Sequence, residues 1–294
     1  MQTVLSSSQK WVRKASNSQM RRGGRKAALT LLITLLAITF LLPMFWLLSS
    51  SLQTEEQIFS RPPVWLPDPI MWSNYWQALT RERFHLFFLN TLTLAVITAF
   101  GATLSSALVA YGFARLKWPG REPLFFIVLC TMMVPYQVTM VPLYVLFSRL
   151  NWVGTYLPLT LPYFFGSPFF IFLLRQFFRT IPQDLTDAAR IDGCSHWGIF
   201  LRIILPLARP ALAVVVLFRV LDVWGDFLEP LIYINRVRQY TLSLGLLLFQ
   251  SMYQTEWTLL MAAAAAITLP VIVVFFFTQR LFIEGVTFSG LKGV

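Results

Sequence analysis

Along most of this chain, apolar residues run on for a bilayer's worth of helix before a charge interrupts them. A helix needs about 20 mostly apolar residues to cross the hydrocarbon core. Five stretches without Asp, Glu, Lys, Arg or His reach that length: Ala27–Ser51, Leu86–Ala114, Pro123–Ser148, Leu150–Leu174 and Trp257–Gln279. A sixth, Ala211–Tyr233, is apolar on one side and carries Arg219, Asp222, Asp226 and Glu229. At helical spacing those four fall within an arc of roughly 80°, so one continuous helix would present them as a polar seam. The pattern predicts an all-α polytopic membrane protein with six transmembrane helices.

The interruptions are as informative as the runs. Asn151 and Gly154 supply a turn between the third and fourth spans. Pro135 and Pro142, in "VPYQVTMVP", are placed to break or bend the third. The loop "SRPPVWLPDPIMWSNYWQAL" holds four prolines and three tryptophans. Stiff extended chain followed by a short amphipathic helix at the membrane interface accounts for it. The indoles suit interfacial anchoring, with stacking on sugar rings the second reading. Thr241–Met252, "TLSLGLLLFQSM", is apolar but too short to cross, and predicts a re-entrant or interfacial segment.

Composition sharpens this picture. Only 13% of the 294 residues are charged and 56% are hydrophobic, with a mean hydropathy of +0.64. A soluble domain carries about 25% charge. The net charge of +11 raises nucleic acid as a partner, but the charges are not distributed as a groove-binding stripe. Seven basic and no acidic residues fill the first 28 positions and stop where the first apolar run begins. That run, uncharged from Ala27 to Thr54, is longer than a signal-peptide core and is expected to stay as the first span. Six spans with this end inside place 17 Lys and Arg in the inner segments and 6 in the outer ones, as the positive-inside rule requires. Both termini are expected in the cytoplasm. The divisions are a basic tail, 1–26; the first helix, 27–51; an external loop, 52–84; a core with helices 2–6, 85–283; and a C-terminal tail, 284–294.

One inner segment is unlike the rest. "RTIPQDLTDAARIDGCSHWGIFLRIILPLARPAL" has the makings of two short helices joined at Gly193. Thr180, with Pro182 and Gln183, reads as a capping box. Asp184 and Asp187 then lie at the positive end of the helix dipole, and Gly193 ends the helix. Leu185, Ala188 and Ala189 form a shallow apolar face. Ser195 caps a second helix, with Trp197, Leu201 and Ile204 on one side, expected to lie along the membrane surface until Pro206 and Pro210 turn the chain into the fifth span. A polar-ended finger of this kind is shaped to touch another protein.

Chemistry of other kinds is missing. No phosphate loop or H-E-x-x-H occurs. His85 and His196 stand at opposite ends of the topology, which excludes a compact His-based metal site. Cys130 and Cys194 make no disulfide framework, and "LLSSSLQ" has no nucleophile elbow. An enzyme is not indicated.

The finger resembles the signature of binding-protein-dependent ABC transporter permeases: E-A-A, three residues, G, nine residues, I-x-L-P. Here it stands as Asp187-Ala188-Ala189, Gly193 and Ile203-Ile204-Leu205-Pro206, with Asp for Glu. "NYWQAL", "NTLTLA", "AYGFARLKWPGR", "VWGDFLEPLIY" and "TQRLFIEGVTFSGLKGV" are similar to the carbohydrate-uptake group that includes the maltose permease subunit MalG. Met1–Lys26 shows no such likeness. The resemblance implies the type I ABC importer permease fold in a bacterial or archaeal inner membrane. It implies a coupling loop, 180–206, in which Asp187, Ala188, Ala189 and Gly193 dock on an ATP-binding subunit and Ile203, Leu205 and Pro206 fix the finger to the fifth span. It further implies a homologous second permease, two ATP-binding cassette subunits that hold the ATP and Mg, an external solute-binding protein, and no cofactor on this chain. The solute would be a sugar or a sugar-like molecule.

The polar seam has two readings. Ionised groups within a span line a pathway or aqueous cavity; alternatively Arg219 and Asp222 satisfy each other as an i, i+3 pair at a subunit contact. Asn90, Thr93, Tyr136 and Gln137 are further pathway candidates. A stand-alone ion-coupled transporter is the alternative function, and a purely structural membrane anchor would leave the seam and the hinge unexplained.

Overall fold

A computed structural model of the protein describes residues 26, 28–81, 83–250 and 255–290. Helices dominate, and among the described residues the strand-like pairing is one isolated bridge, Gln250 to Thr255. The expected basic tail, with Lys10 to Arg25, lies outside the described residues, as do Ser251, Met252 and the last four positions.

The first long helix, α1 (Ala28–Ser50), leads through α2 (Glu55–Ile58) and α3 (Ser73–Arg81) to the longest internal span, α4 (Phe84–Arg115). Next come α5 (Arg121–Thr131) and α6 (Tyr136–Arg149), then α7 (Leu157–Thr160), a 3-10 turn (Leu161–Phe165) and α8 (Pro168–Thr180). A finger follows: α9 (Gln183–Ile191), α10 (His196–Ile199), a π turn (Phe200–Ile204) and α11 (Leu205–Leu207). The chain returns through α12 (Arg209–Gly225), α13 (Leu228–Tyr233) and α14 (Leu242–Gly245), and ends in α15 (Trp257–Gly290). Among the described residues, four segments are long and apolar enough to cross a membrane: Ala28–Ser50, Phe84–Arg115, Leu157–Thr180 and Trp257–Gln279. Two bent pairs, α5 with α6 (92°) and α10–α11 with α12 (76°), bring the total to six if each counts as one span.

The 32 residues of α4 extend about 48 Å, more than the 40–45 Å of a whole bilayer. It packs against α8 and α12, and its contact side is small: Ala95, Ala99, Ala102, Ala107 and Ala110 are buried. Without bulky side chains the helices approach closely, which is how membrane helices gain packing energy. Gly101 takes this to its limit, since a Cβ there would sit 2.6 Å from the Phe164 ring. At the end opposite the finger, the Asn90 amide donates to the carbonyls of Arg238 (2.9 Å) and Tyr240 (3.0 Å), and Thr91 accepts from the Leu242 N–H. The chain from Arg238 to Leu242 is thereby pinned to α4. The α1 helix, by contrast, stands clear of the bundle until its last turn. There Ser49 donates to the Trp65 carbonyl, and Asn74 of α3 donates to the carbonyls of Ser51 and Gln53.

Several expected boundaries move, each for a local reason. The third span breaks between Thr131 and Tyr136, with Pro135 at the start of α6, whereas Pro142 sits inside an unbroken helix. The turn expected at Asn151 (φ 56°) and Gly154 (φ 84°) does form, so the fourth begins at Leu157. The fifth is not one helix through Tyr233. It stops at Gly225, and Asp226 accepts the Glu229 N–H to start α13, as a capping carboxylate does.

Substitution at Gly245 tests the packing, since its Cβ would lie 2.6 Å from fully buried Phe87. Gly245→Ala should cost about 1–3 kcal/mol through overpacking, whereas Gly112→Ala, with open space beside it, should cost nothing. The thermal denaturation midpoints of the purified protein in detergent give the comparison.

Candidate functional site

Two sites emerge, a finger at one end of the bundle and a polar cluster at its middle. The finger is part of the bundle's core. Ala189, Ile199, Phe200, Ile204 and Ala208 join one buried cluster with Tyr111, Phe113 and Phe178. The opposite side of α9 is free: Leu185 (44% exposed) and Ile191 (87% exposed) flank Ala188, with Asp184, Asp187 and Asp192 around them. Ala189 therefore faces inward, and Ala188 is the outward member of the pair. Arg190 lies 3.6 Å from Asp187 on the exposed side. Ile191 adds to the face read from the sequence. Its signal was an apolar residue among Arg190, Asp192 and Gly193 with no core to enter.

Gly193 closes α9 in the left-handed conformation (φ 79°). Its N–H bonds the Arg190 carbonyl, and the Cys194 N–H reaches the Ala189 carbonyl, which makes a Schellman motif. Ser195 caps α10 by accepting from the Gly198 N–H. The expected capping box at Thr180 does not form. Thr180 is the last residue of α8, its hydroxyl bonds the Phe177 carbonyl, and the Gln183 side chain accepts from Arg115 instead. Of the Trp197–Leu201–Ile204 face, Trp197 and Leu201 stay outward and Ile204 turns into the core. The π turn at Phe200–Ile204 shifts the helical phase there, so that Ile199, Ile204 and Ala208 form the inward line. Ile203 and Leu205 are half-buried and Pro206 is exposed where the finger meets α12.

The polar cluster survives the break in the fifth span because Tyr163 gathers it. The Arg219 guanidinium stacks 3.4 Å from the Tyr163 ring centroid, and its Nε donates to Thr98 of α4. The Tyr163 hydroxyl donates to Glu229 (3.4 Å). The Asp226 carboxylate holds the start of α13. Arg219 is 6% exposed, while the Asp222 side chain is 62% exposed with an oxygen 4.0 Å from the guanidinium. Arg219 and Asp222 thus form a long pair, and Thr98 and Tyr163 are the closer partners. Tyr163 was not among the residues expected here; its signal was its place between Pro162 and the left-handed Gly166, where a span is interrupted. The other pathway candidates are dispersed. Asn90 is engaged with the Arg238 and Tyr240 carbonyls, Thr93 and Gln137 are exposed, and the Tyr136 hydroxyl is 3.5 Å from that of Tyr233.

Residues 102–287 match the family described as the inner membrane component of binding-protein-dependent transport systems. The chain belongs to this family. The permease is 35% identical to the arabinooligosaccharides transport system permease protein AraQ of Bacillus subtilis, over 91% of this chain and 96% of that one. It is 31% identical to the sulfoquinovosyl glycerol transport system permease protein SmoH of Agrobacterium fabrum, over 88% and 92%. A chain in the crystal structure of a bacterial ABC transporter involved in the import of the acidic polysaccharide alginate shares its fold. The TM-score is 0.76 at 23% identity, covering 85% of this chain and 94% of that one. The permease thus has the fold of importer permeases and is a membrane transport subunit rather than an enzyme. A free-standing ion-coupled carrier is set aside, because transport in this family depends on a binding protein.

Arg219 and Tyr163 should each contribute measurably to the stability of the permease. A desolvated cation–π contact is worth about 2 kcal/mol, so Arg219→Met and Tyr163→Leu should each destabilise by about that amount. The double variant should lose less than the sum, as read from thermal denaturation of the detergent-solubilised protein.

Proposed function

We propose that this chain is half of the translocation pathway of an ATP-driven importer for a sugar or sugar-bearing solute. Its finger docks on an ATP-binding subunit at the cytoplasmic face. The observation that carries this reading is the two-sided α9: Thr186 and Ala189 buried in the bundle, Leu185, Ala188 and Ile191 exposed beyond it. Within one chain, an exposed apolar strip on a fixed, polar-ended helix calls for a protein groove. Asp184, Asp187 and Asp192 would meet basic residues at its rim.

The assembly would comprise this permease, a homologous second permease, two ATP-binding subunits that hold ATP and Mg, and an external solute-binding protein. Both termini and the finger would lie in the cytoplasm. The carboxylate of Asp222, exposed beside a buried Arg219 well inside the bundle, supports a pathway along α12. A charge at that depth is stable only against water or another chain. A sugar or sugar-bearing solute is supported by the relatives, since AraQ is named for arabinooligosaccharides and SmoH for sulfoquinovosyl glycerol.

Energetics assigns the finger its part. Reversing a two-state equilibrium from 1:99 to 99:1 takes about 5.5 kcal/mol of differential binding. Full burial of Ile191 or Leu185 returns about 1.5–3 kcal/mol each, and that gain is present in every docked state. The finger therefore holds and transmits, while closure of the ATP-binding subunits supplies the drive.

Gly193→Val should reduce transport by the reconstituted complex at least tenfold, because a branched residue cannot hold the left-handed turn. Gly193→Asn, which tolerates that turn, should retain most of it. Uptake of arabinooligosaccharides into proteoliposomes, together with ATP hydrolysis, measures both. Wild-type uptake by the valine variant would overturn the docking assignment.

A further inference from the structure

We infer that Arg115, the last residue of α4, is a positioning residue that fastens the root of the finger to the membrane bundle. This rests on the finger being the docking element proposed above. Arg115 is 5% exposed, and among the described residues no carboxylate lies within ion-pair distance of it. Its charge is met by backbone instead. One terminal nitrogen donates to the carbonyls of Phe178 and Ile181, both at 2.6 Å, and the other donates to the Gln183 side chain at 2.8 Å. Phe178 and Ile181 close α8, where the helix dipole is negative and stabilises a cation. Gln183 opens α9. A single guanidinium thus joins the end of one span, the end of a second and the first turn of the finger.

The planar fork explains the choice of residue. Three acceptors on two elements are reached from two adjacent nitrogens, which an ammonium group cannot reproduce in the same geometry. The Nε of Arg115 is buried without a partner, so the group is held at its terminal nitrogens alone. Just above it on α4, the Tyr111 hydroxyl donates to the His196 carbonyl, which secures the finger's other root. Both roots are therefore tied to the same two turns of α4. Movement of the finger against α8 has to pass through these contacts, and α4 carries it toward Thr98, the partner of Arg219, and to Asn90 and Thr91, which hold the outer loop. An arginine with a merely local structural part would affect assembly and stability, whereas a fastening one also sets how strongly the two ends of the transporter respond to each other.

The test uses the complete transporter in nanodiscs, with an arabinooligosaccharide mixture as the solute probe. The readout is the ratio of ATP hydrolysis with and without the loaded binding protein. Arg115→Gln should reduce that ratio at least tenfold in complexes that still contain all subunits. Arg115→Lys should restore part of it, and Gln183→Met, which removes only the finger-side acceptor, should lower it several-fold. An assembled Arg115→Gln complex with the wild-type ratio overturns the inference. If that variant does not assemble, wild-type ratios in both Arg115→Lys and Gln183→Met overturn it, and reduced ratios support it. Gly193→Val separates the two readings: if it also leaves the ratio unchanged, docking of the finger itself is refuted. If it abolishes stimulation while the Arg115 and Gln183 variants do not, only the fastening fails.

Discussion

The close packing of α4 against α8 and α12 sets the position of nearly everything else. Hydrocarbon offers apolar helices no hydrophobic drive to associate, so the contact has to come from backbone approach. The buried alanines of α4 and its Gly101 provide it. Because the helix is longer than the bilayer is thick, its ends emerge where water and loop backbone can take polar side chains. Asn90 and Thr91 serve one end, Tyr111 and Arg115 the other. A shorter span would have to place those groups in lipid, where each unsatisfied donor costs several kcal/mol.

Midway along the same helix, Thr98 accepts from Arg219. The cluster beyond it is built on an interruption in each neighbour: the 3-10 turn that carries Tyr163 and the break after Gly225 that frees Glu229. Irregular backbone is tolerated at such depth only where it is enclosed by protein or borders a cavity. The regular helix supplies the reference against which two irregular ones present polar groups.

Much of this could be read from the residues alone. Runs of apolar sequence gave the spans, and the signature around Asp187 and Gly193 gave the finger, because a left-handed glycine and a spaced Ile-x-Leu-Pro leave few alternatives. What could not be read follows from tertiary choices. Thr180 and Gln183 have the composition of a capping box, but Arg115 competes for the glutamine and prevails. Asp226 looked like one face of a long helix and instead starts a new one. Tyr163 had no signal beyond its flanking proline and glycine, since a tyrosine in a span is ordinarily an interfacial residue. Ile204 leaves the side shared by Trp197 and Leu201 because the winding changes between Phe200 and Ile204.

That change of winding has its own consequence. The π turn at Phe200–Ile204 closes each hydrogen bond over five residues rather than four, and so absorbs a residue without lengthening the axis in proportion. The nine-residue interval between Gly193 and Ile203 is therefore a gauge of angle more than of distance. One inserted residue would displace the glycine by only about 1.5 Å but swing it by about 100° around the axis, turning Leu185 and Ile191 away from any groove. A substitution in this segment changes its chemistry locally, whereas a change in its residue count re-aims the whole finger.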